Sequence, residues 1–412
     1  MYIKRKVIPL HDNYCIEMSM KKLFFVIIAA MALTSLCCTS CTSDDDEKNG
    51  SEIVEPEKPT ETLPNGTHVP GRGYLVDGSF YTIDTDGNVW FLDPPSTSIT
   101  SITIPENVTL KGKTYTVTHI RDYAFSGLKQ LTTVKLPNTI TYLGNSAFTG
   151  CDNLASINLP DSLKDIKIYT FQYCKALTSI TFPKGLTSIS NYAFNGCEHL
   201  KSISFPTTLR AIGQEAFRDC HELDSVILPD GFNNLGLNAF RDCWNITYIY
   251  IPASVRNYLA PFEGCYTVTS VNISSWYVAG GFGTLVTKLV LGEGVQNIGE
   301  NAFDGCTQLS SVEFPSTVTI IGPRSFRNCI SLTSIVFPEN LIMIHDRAFY
   351  GCQNLKSVTC LAPTPPSFPD VTGYPVFDSQ TQEDGTLYVP SDLVERYKSA
   401  PGWKDFKNII GL

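Results

Sequence analysis

Positive charge is in short supply in this chain. Of 412 residues only 31 are Lys or Arg, against 40 Asp or Glu, for a formal net charge of -9 and a pI near 5.2. The basic residues are scattered, so no nucleic-acid footprint exists. Long apolar runs are missing too. The one candidate, residues 23–36, is about 14 residues long, short of the roughly 20 that a spanning helix needs. Nor do the cysteines of the chain's middle and C-terminal parts come in pairs two to four residues apart, which sets structural zinc aside.

What is present is a ruler. Cys151, Cys174, Cys197, Cys220 and Cys243 follow one another at intervals of 23 residues, as do Cys306, Cys329 and Cys352, with Cys265 at 22 from its predecessor. Leu128 occupies the same slot one interval before Cys151. A fixed period of this length is the signature of a solenoid, in which each unit buries its apolar face only by stacking on its neighbours. In Leu177-Thr178-Ser179-Ile180-Thr181-Phe182-Pro183 the apolar residues alternate as in a half-buried strand, and Pro183 closes it. Ala193, Phe194, Cys197 and Leu200 recur at three- and four-residue spacing, which predicts a short helical turn. The residue before each cysteine is Gly150, Gly196, Gly264, Gly305, Gly351, Asp219, Asp242 or Asn328, types that accept a left-handed backbone; Tyr173 alone departs. The cysteine itself reads as a small buried hydrophobe, with bridging between neighbouring turns left to a thiol count.

The unit Leu-x-x-Ile-x-Leu-Pro followed by Ile-Gly-x-x-Ala-Phe-x-x-Cys, carried with Phe205 at the second leucine by residues 200–220 and with Val312, Phe314, Pro323 and Ser325 varied by residues 309–329, resembles the leucine-rich repeats of the BspA-like family. That resemblance covers residues 115–359. It implies an α/β solenoid with one short strand per 23-residue turn, a concave parallel sheet, short helical turns on the convex side, and caps at both ends. Residues 71–114, with Asp86-Gly87 as a hairpin turn, are expected to form a β cap, and residues 360–412 a C-terminal cap. The resemblance also implies adhesion rather than catalysis.

The N-terminal part carries an address. Met20-Lys21-Lys22, the apolar run and the small residues ahead of Cys41 have the layout of a secretory signal over residues 20–40, similar to that of bacterial lipoproteins, with Cys41 as the lipidated residue. A plain cleaved signal is the alternative. Residues 1–19 are expected to reflect an upstream start, and residues 41–70 a flexible acidic tether whose Asp44-Asp45-Asp46-Glu47 suits export to the outer face of the outer membrane.

Histidines offer no chemistry, since His119, His199, His221 and His345 fall at different places in their repeats. Asp84-x-Asp86-Gly87-Asn88 opens like a calcium loop but lacks the distal glutamate, and Gly280-Gly281-Phe282-Gly283 reads as a loop. No enzyme, metal or cofactor is expected. Binding is expected on the strand face, where a column of exposed positions runs Thr133, Ser156, Ser179, Ser202, Ser225, Tyr248, Ser270, Lys288, Ser311, Ser334 and Ser357. Regularity fails over residues 244–299, so Tyr248, Tyr250, Tyr258, Trp276, Tyr277 and Lys288 are the candidate ligand-binding residues. A protein or other macromolecular ligand is the first expectation, a glycan captured as nutrient the second. Refilling of a damaged core is the structural alternative for these aromatics.

Overall fold

Alternation within each repeat makes strands, but there are two per turn rather than one. In a computed structural model that describes residues 63–412 apart from 257, 259 and 370–372, both columns are parallel. The first column contains Thr133–Lys135, Ser156–Ile157, Ser225–Ile227, Tyr248–Ile251, Ser270–Ile273, Lys288–Leu291, Ser334–Phe337 and Ser357–Cys360. Its register follows the serine column: Ser156 opposes Thr133, Ser179 opposes Ser202, Ser225 opposes Tyr248, Tyr248 opposes Ser270, and Ser270 opposes Lys288. The ladder outruns the expected repeat bounds, beginning with Ser101–Thr103 and ending with Thr386–Val389 and Asn408–Gly411. The second column is built of two-residue strands such as Tyr142–Leu143, Asp165–Ile166, Ser188–Ile189, Ala211–Ile212 and Asn234–Leu235. It resumes with Tyr277–Val278, Asn297–Ile298, Ile320–Ile321 and Met343–Ile344.

The expected helical turns are absent from the repeats. Among the described residues, α-helix is confined to Ser379–Asp384 and Val394–Ser399, outside them. Hydrogen bonding explains why. On the edge that carries the cysteines, amides alternate between two acceptors: Ala147, Thr149 and Cys151 bond back three residues within their own turn, while Ser146, Phe148 and Gly150 donate to Ile168, Thr170 and Gln172 of the next turn. A helix would turn every donor inward along its own axis and leave no bonds between turns. The alternation instead stitches the edge as a third ladder. The expected concavity presupposed helices wider than strands, and no such helices line the repeats.

Left-handed residues aim those outward amides. All eight Gly, Asp and Asn positions ahead of the cysteines have positive φ, and so does Tyr173 at 59°. A second left-handed site lies four residues earlier in each turn, at Ser146, Tyr169, Tyr192, Glu215, Asn238, Ala260, Asn301, Arg324 and Arg347. None of these is glycine, and each costs about 1 kcal/mol or more, which three inter-turn amide bonds offset in the turns of Ser146, Tyr169, Tyr192, Glu215, Asn301 and Arg324.

The core is a spine of stacked phenylalanines. Phe125, Phe148, Phe171, Phe194, Phe217 and Phe240 lie with ring centroids 4.9–5.4 Å apart and nearly parallel planes. All are fully buried, each contributing about 2–3 kcal/mol by burial alone. The spine continues past the repeat at both ends, to Phe91 and to Phe377. N-terminally it is covered by antiparallel strands Gly73–Val76, Ser79–Ile83 and Val89–Asp93, and C-terminally by Trp403, which packs on Phe337, Phe368 and Phe377 with its indole N–H on the Pro366 carbonyl at 2.8 Å.

Candidate strand-face binding site

The ten cysteines among the described residues are free and buried, and the nine of the ladder do more than fill space. Each thiol reaches a main-chain carbonyl of the preceding turn: Cys151 to Phe125 at 3.0 Å, Cys174 to Phe148 and Cys197 to Phe171 at 3.2 Å, Cys243 to Phe217 at 3.1 Å. The carbonyl of Phe148 thus takes the amide of Cys151 from its own turn and the thiol of Cys174 from the next. Sequence spacing marked the slot but not this bond, because a weak S–H donor and a small hydrophobe leave the same trace in a sequence. Burial pushes the Cys151 and Cys352 thiols up to about 12, which makes them poor nucleophiles and poor metal ligands.

The chemistry of Asp84 is also consumed locally. Its carboxylate accepts the amides of Asp86 and Asn88, the Asn88 side chain and the Trp90 indole N–H. Those bonds hold its pKa down at about 2. The segment is a hydrogen-bonded turn, and no group of three or more metal-ligating side chains occurs among the described residues.

The six candidate ligand-binding residues separate into three places. Tyr248 and Tyr250 sit on the outward side of Tyr248–Ile251, alternating with buried Ile249 and Ile251, and Lys288 lies two strands along the same row. Trp276 and Tyr277 belong to the second column, their rings 5.8 Å apart, with the Trp276 indole N–H on the Arg256 carbonyl at 2.6 Å. Tyr258 is in the core. It is 5% exposed, and its hydroxyl donates to the Tyr277 carbonyl at 2.9 Å and lies 3.2 Å from the Ser275 hydroxyl. This is the refilled core that the shortened repeat requires: burial pushes its pKa up to about 12. Cys41 lies outside the described residues.

A second exposed row on the first strand face went unread in the sequence. Two residues beyond the serine column it runs Lys135, Asn158, Thr181 and Ser204, all polar, and then Ile227, Tyr250, Asn272 and Val290, joined side by side in register. Ile227 is 55% exposed and Val290 41%. Further on the row includes Glu313 and Val336, the latter 50% exposed. Beside it a hollow of about 380 Å3 opens among Phe314, Val336, Pro338 and Leu361. Apolar side chains placed outward on a bonded sheet cannot retreat into the core, since a shift of one residue would expose the buried set.

Repeated parallel strands, a stacked core and a presented face define a leucine-rich repeat protein. The family description "BspA type Leucine rich repeat region" matches in six copies over residues 95–206, 187–278 and 282–365, and the chain belongs to that family. A leucine-rich repeat protein from Bacteroides ovatus is 29% identical over 71% of this chain and 98% of its own, with a TM-score of 0.38. A leucine-rich cell surface protein from Faecalibacterium prausnitzii is 23% identical over 82% of this chain and 93% of its own, at a TM-score of 0.39. The pneumococcal vaccine antigen PcpA is 18% identical over 85% of this chain and all of its own, at 0.44. No curated protein matches.

Proposed function

We propose that this chain is a non-catalytic surface protein that binds a protein ligand on its first strand face. The row from Ile227 through Tyr250 to Val290 carries that reading. Four outward positions in register, two aliphatic and one aromatic, lie beside the hydroxyl column and are bracketed by Tyr248 and Lys288. Hot spots of protein interfaces combine a desolvated apolar centre with a polar rim, which this face supplies on rigid elements. Neutral glycans are a second reading for the Tyr248 and Trp276 cluster. It draws less from the geometry, since those residues are divided between two strand columns and Tyr258 is buried.

Attachment to the outer membrane through a lipid on Cys41, with the acidic tether holding the repeats at the cell surface, completes the proposal. Palmitate labelling of the full chain tests it: incorporation is expected in the parent chain and lost in Cys41→Ser. For binding, the full chain is presented to immobilised host extracellular-matrix proteins. At least one is expected to bind with an affinity that Tyr248→Ala/Tyr250→Ala lowers about 30-fold, near 2 kcal/mol. Undiminished binding by the folded variant would overturn the assignment of this face.

A further inference from the structure

The column directly after the cysteines holds a feature apart from the strand face. His221 and Trp244, each one residue beyond its cysteine in successive turns, stack with centroids 3.8 Å apart and planes 7° from parallel. Trp244 is still 51% exposed, and in the next turn Tyr266 is 66% exposed. A tryptophan left this open while one of its faces is held rigid by an imidazole is a preorganised stacking platform, whose side-chain entropy is already spent.

Beside it lies a groove of about 510 Å3 lined by Lys201, His221, Glu222, Asp224, Trp244 and Asn245. Its polar groups are arranged in opposed pairs. Glu222 accepts from His199 at 2.7 Å and faces the Lys201 ammonium at 3.5 Å, while one oxygen of Asp224 takes the Ser225 hydroxyl at 2.9 Å. The Asn245 amide reaches the Glu222 carbonyl at 3.3 Å. The groove therefore presents donors and acceptors together, with the charge of Glu222 already balanced. A bare ion meets one uncompensated group, the Asp224 carboxylate, and finds no second partner. A neutral polyhydroxylated ring does: its hydroxyls both donate and accept, and its C–H face packs on an aromatic ring.

We infer that this groove is a binding site for neutral saccharides, distinct from the strand face proposed for a protein ligand. Asp224 and Asn245 hold ring hydroxyls, Lys201 donates to a further one, and Trp244 supplies the apolar contact. Its volume falls within the range of small-ligand sites.

The test titrates the full chain with a panel of neutral oligosaccharides of glucose, xylose, mannose and galactose, followed by tryptophan fluorescence and calorimetry. Binding of at least one sugar is expected, weakened about tenfold in Trp244→Ala and in Asn245→Ala, the latter replacing an exposed residue so that folding is preserved. Val290→Asp, three strands along from Ser225 on the strand face, is expected to leave sugar binding unchanged, so failure of one site is separable from failure of the other. The proposal is overturned if no panel member binds, if both groove variants bind as the parent does, or if the strand-face variant alone abolishes binding.

Discussion

Turns with the full ruler and turns without it hold together by different edges. Between Phe148 and Phe240 the cysteine edge is stitched by three amide bonds per interface, while the first strand column is thin: Ser156–Ile157 has two residues and Ser179 meets Ser202 in a single bridge. Between Phe262 and Phe282 no such bonds join the cysteine edge among the described residues, and the rings open to 5.8 Å and tilt by 30°. There the first column pairs over four residues in Tyr248–Ile251, Ser270–Ile273 and Lys288–Leu291, a length it reaches again in Ser334–Phe337 and Ser357–Cys360. The lengthened strands are also the ones that carry the exposed apolar row. A stronger strand ladder makes a firmer platform for a ligand.

The largest expected effect breaks the spine. Phe217→Ala, mid-stack between rings at 5.1 and 5.2 Å, is expected to cost about 3–5 kcal/mol in urea unfolding. Phe282→Ala, between rings at 5.8 Å on both sides, is expected to cost about 1 kcal/mol less, because it forfeits less stacking. Equal losses would show that the ring geometry carries no energy of its own.

Next in size is the thiol bond. Cys197→Ala is expected to cost about 1–2 kcal/mol from lost volume and a lost donor, and Cys197→Ser less, since a hydroxyl can donate to the same Phe171 carbonyl. A filler role alone predicts the reverse order. Cys306, whose thiol lies 3.5 Å from the Gly283 carbonyl in the irregular stretch, should discriminate less between the two substitutions.

The buried thiols also set a pH response. Burial raises Cys151, Cys306 and Cys352 from 9.0 to about 12, whereas unfolded thiols ionise near the lower value. Above pH 9 the unfolded chain therefore binds fewer protons than the folded one, and stability falls as pH rises between about 9 and about 12. Below that window the contribution is complete. Urea midpoints measured across it should decline, with a shallower decline in Cys151→Ala/Cys352→Ala; an identical slope would assign the loss to other groups.

Much of this organisation is legible in the sequence, and for a reason. The 23-residue period records positions that face their own equivalents in the next turn, so Ser225 opposite Tyr248 and Tyr248 opposite Ser270 follow from spacing alone. Two things resist. Spacing of three and four between Ala193, Phe194 and Cys197 fits a helix and a run of β-turns equally, and only the inter-turn amide bonds separate them. Phe91, Phe282 and Phe377 join the spine at other intervals, hidden because loops of unequal length return to one slot. The aromatic cluster illustrates the same limit: nearness along the coil did not tell Tyr258, which fills the core, from Tyr250, which faces out.

Charge placed on the two halves of one row separates an apolar binding patch from a merely exposed face. Affinity for a bound matrix protein is measured with Ile227→Asp/Val290→Asp and with Asn158→Asp/Ser204→Asp, both pairs at outward positions of the same face. A loss of about 30-fold or more is expected for the first pair and little change for the second. Equal affinity in both folded variants, or a loss confined to the second, would rule out the apolar row as the binding centre.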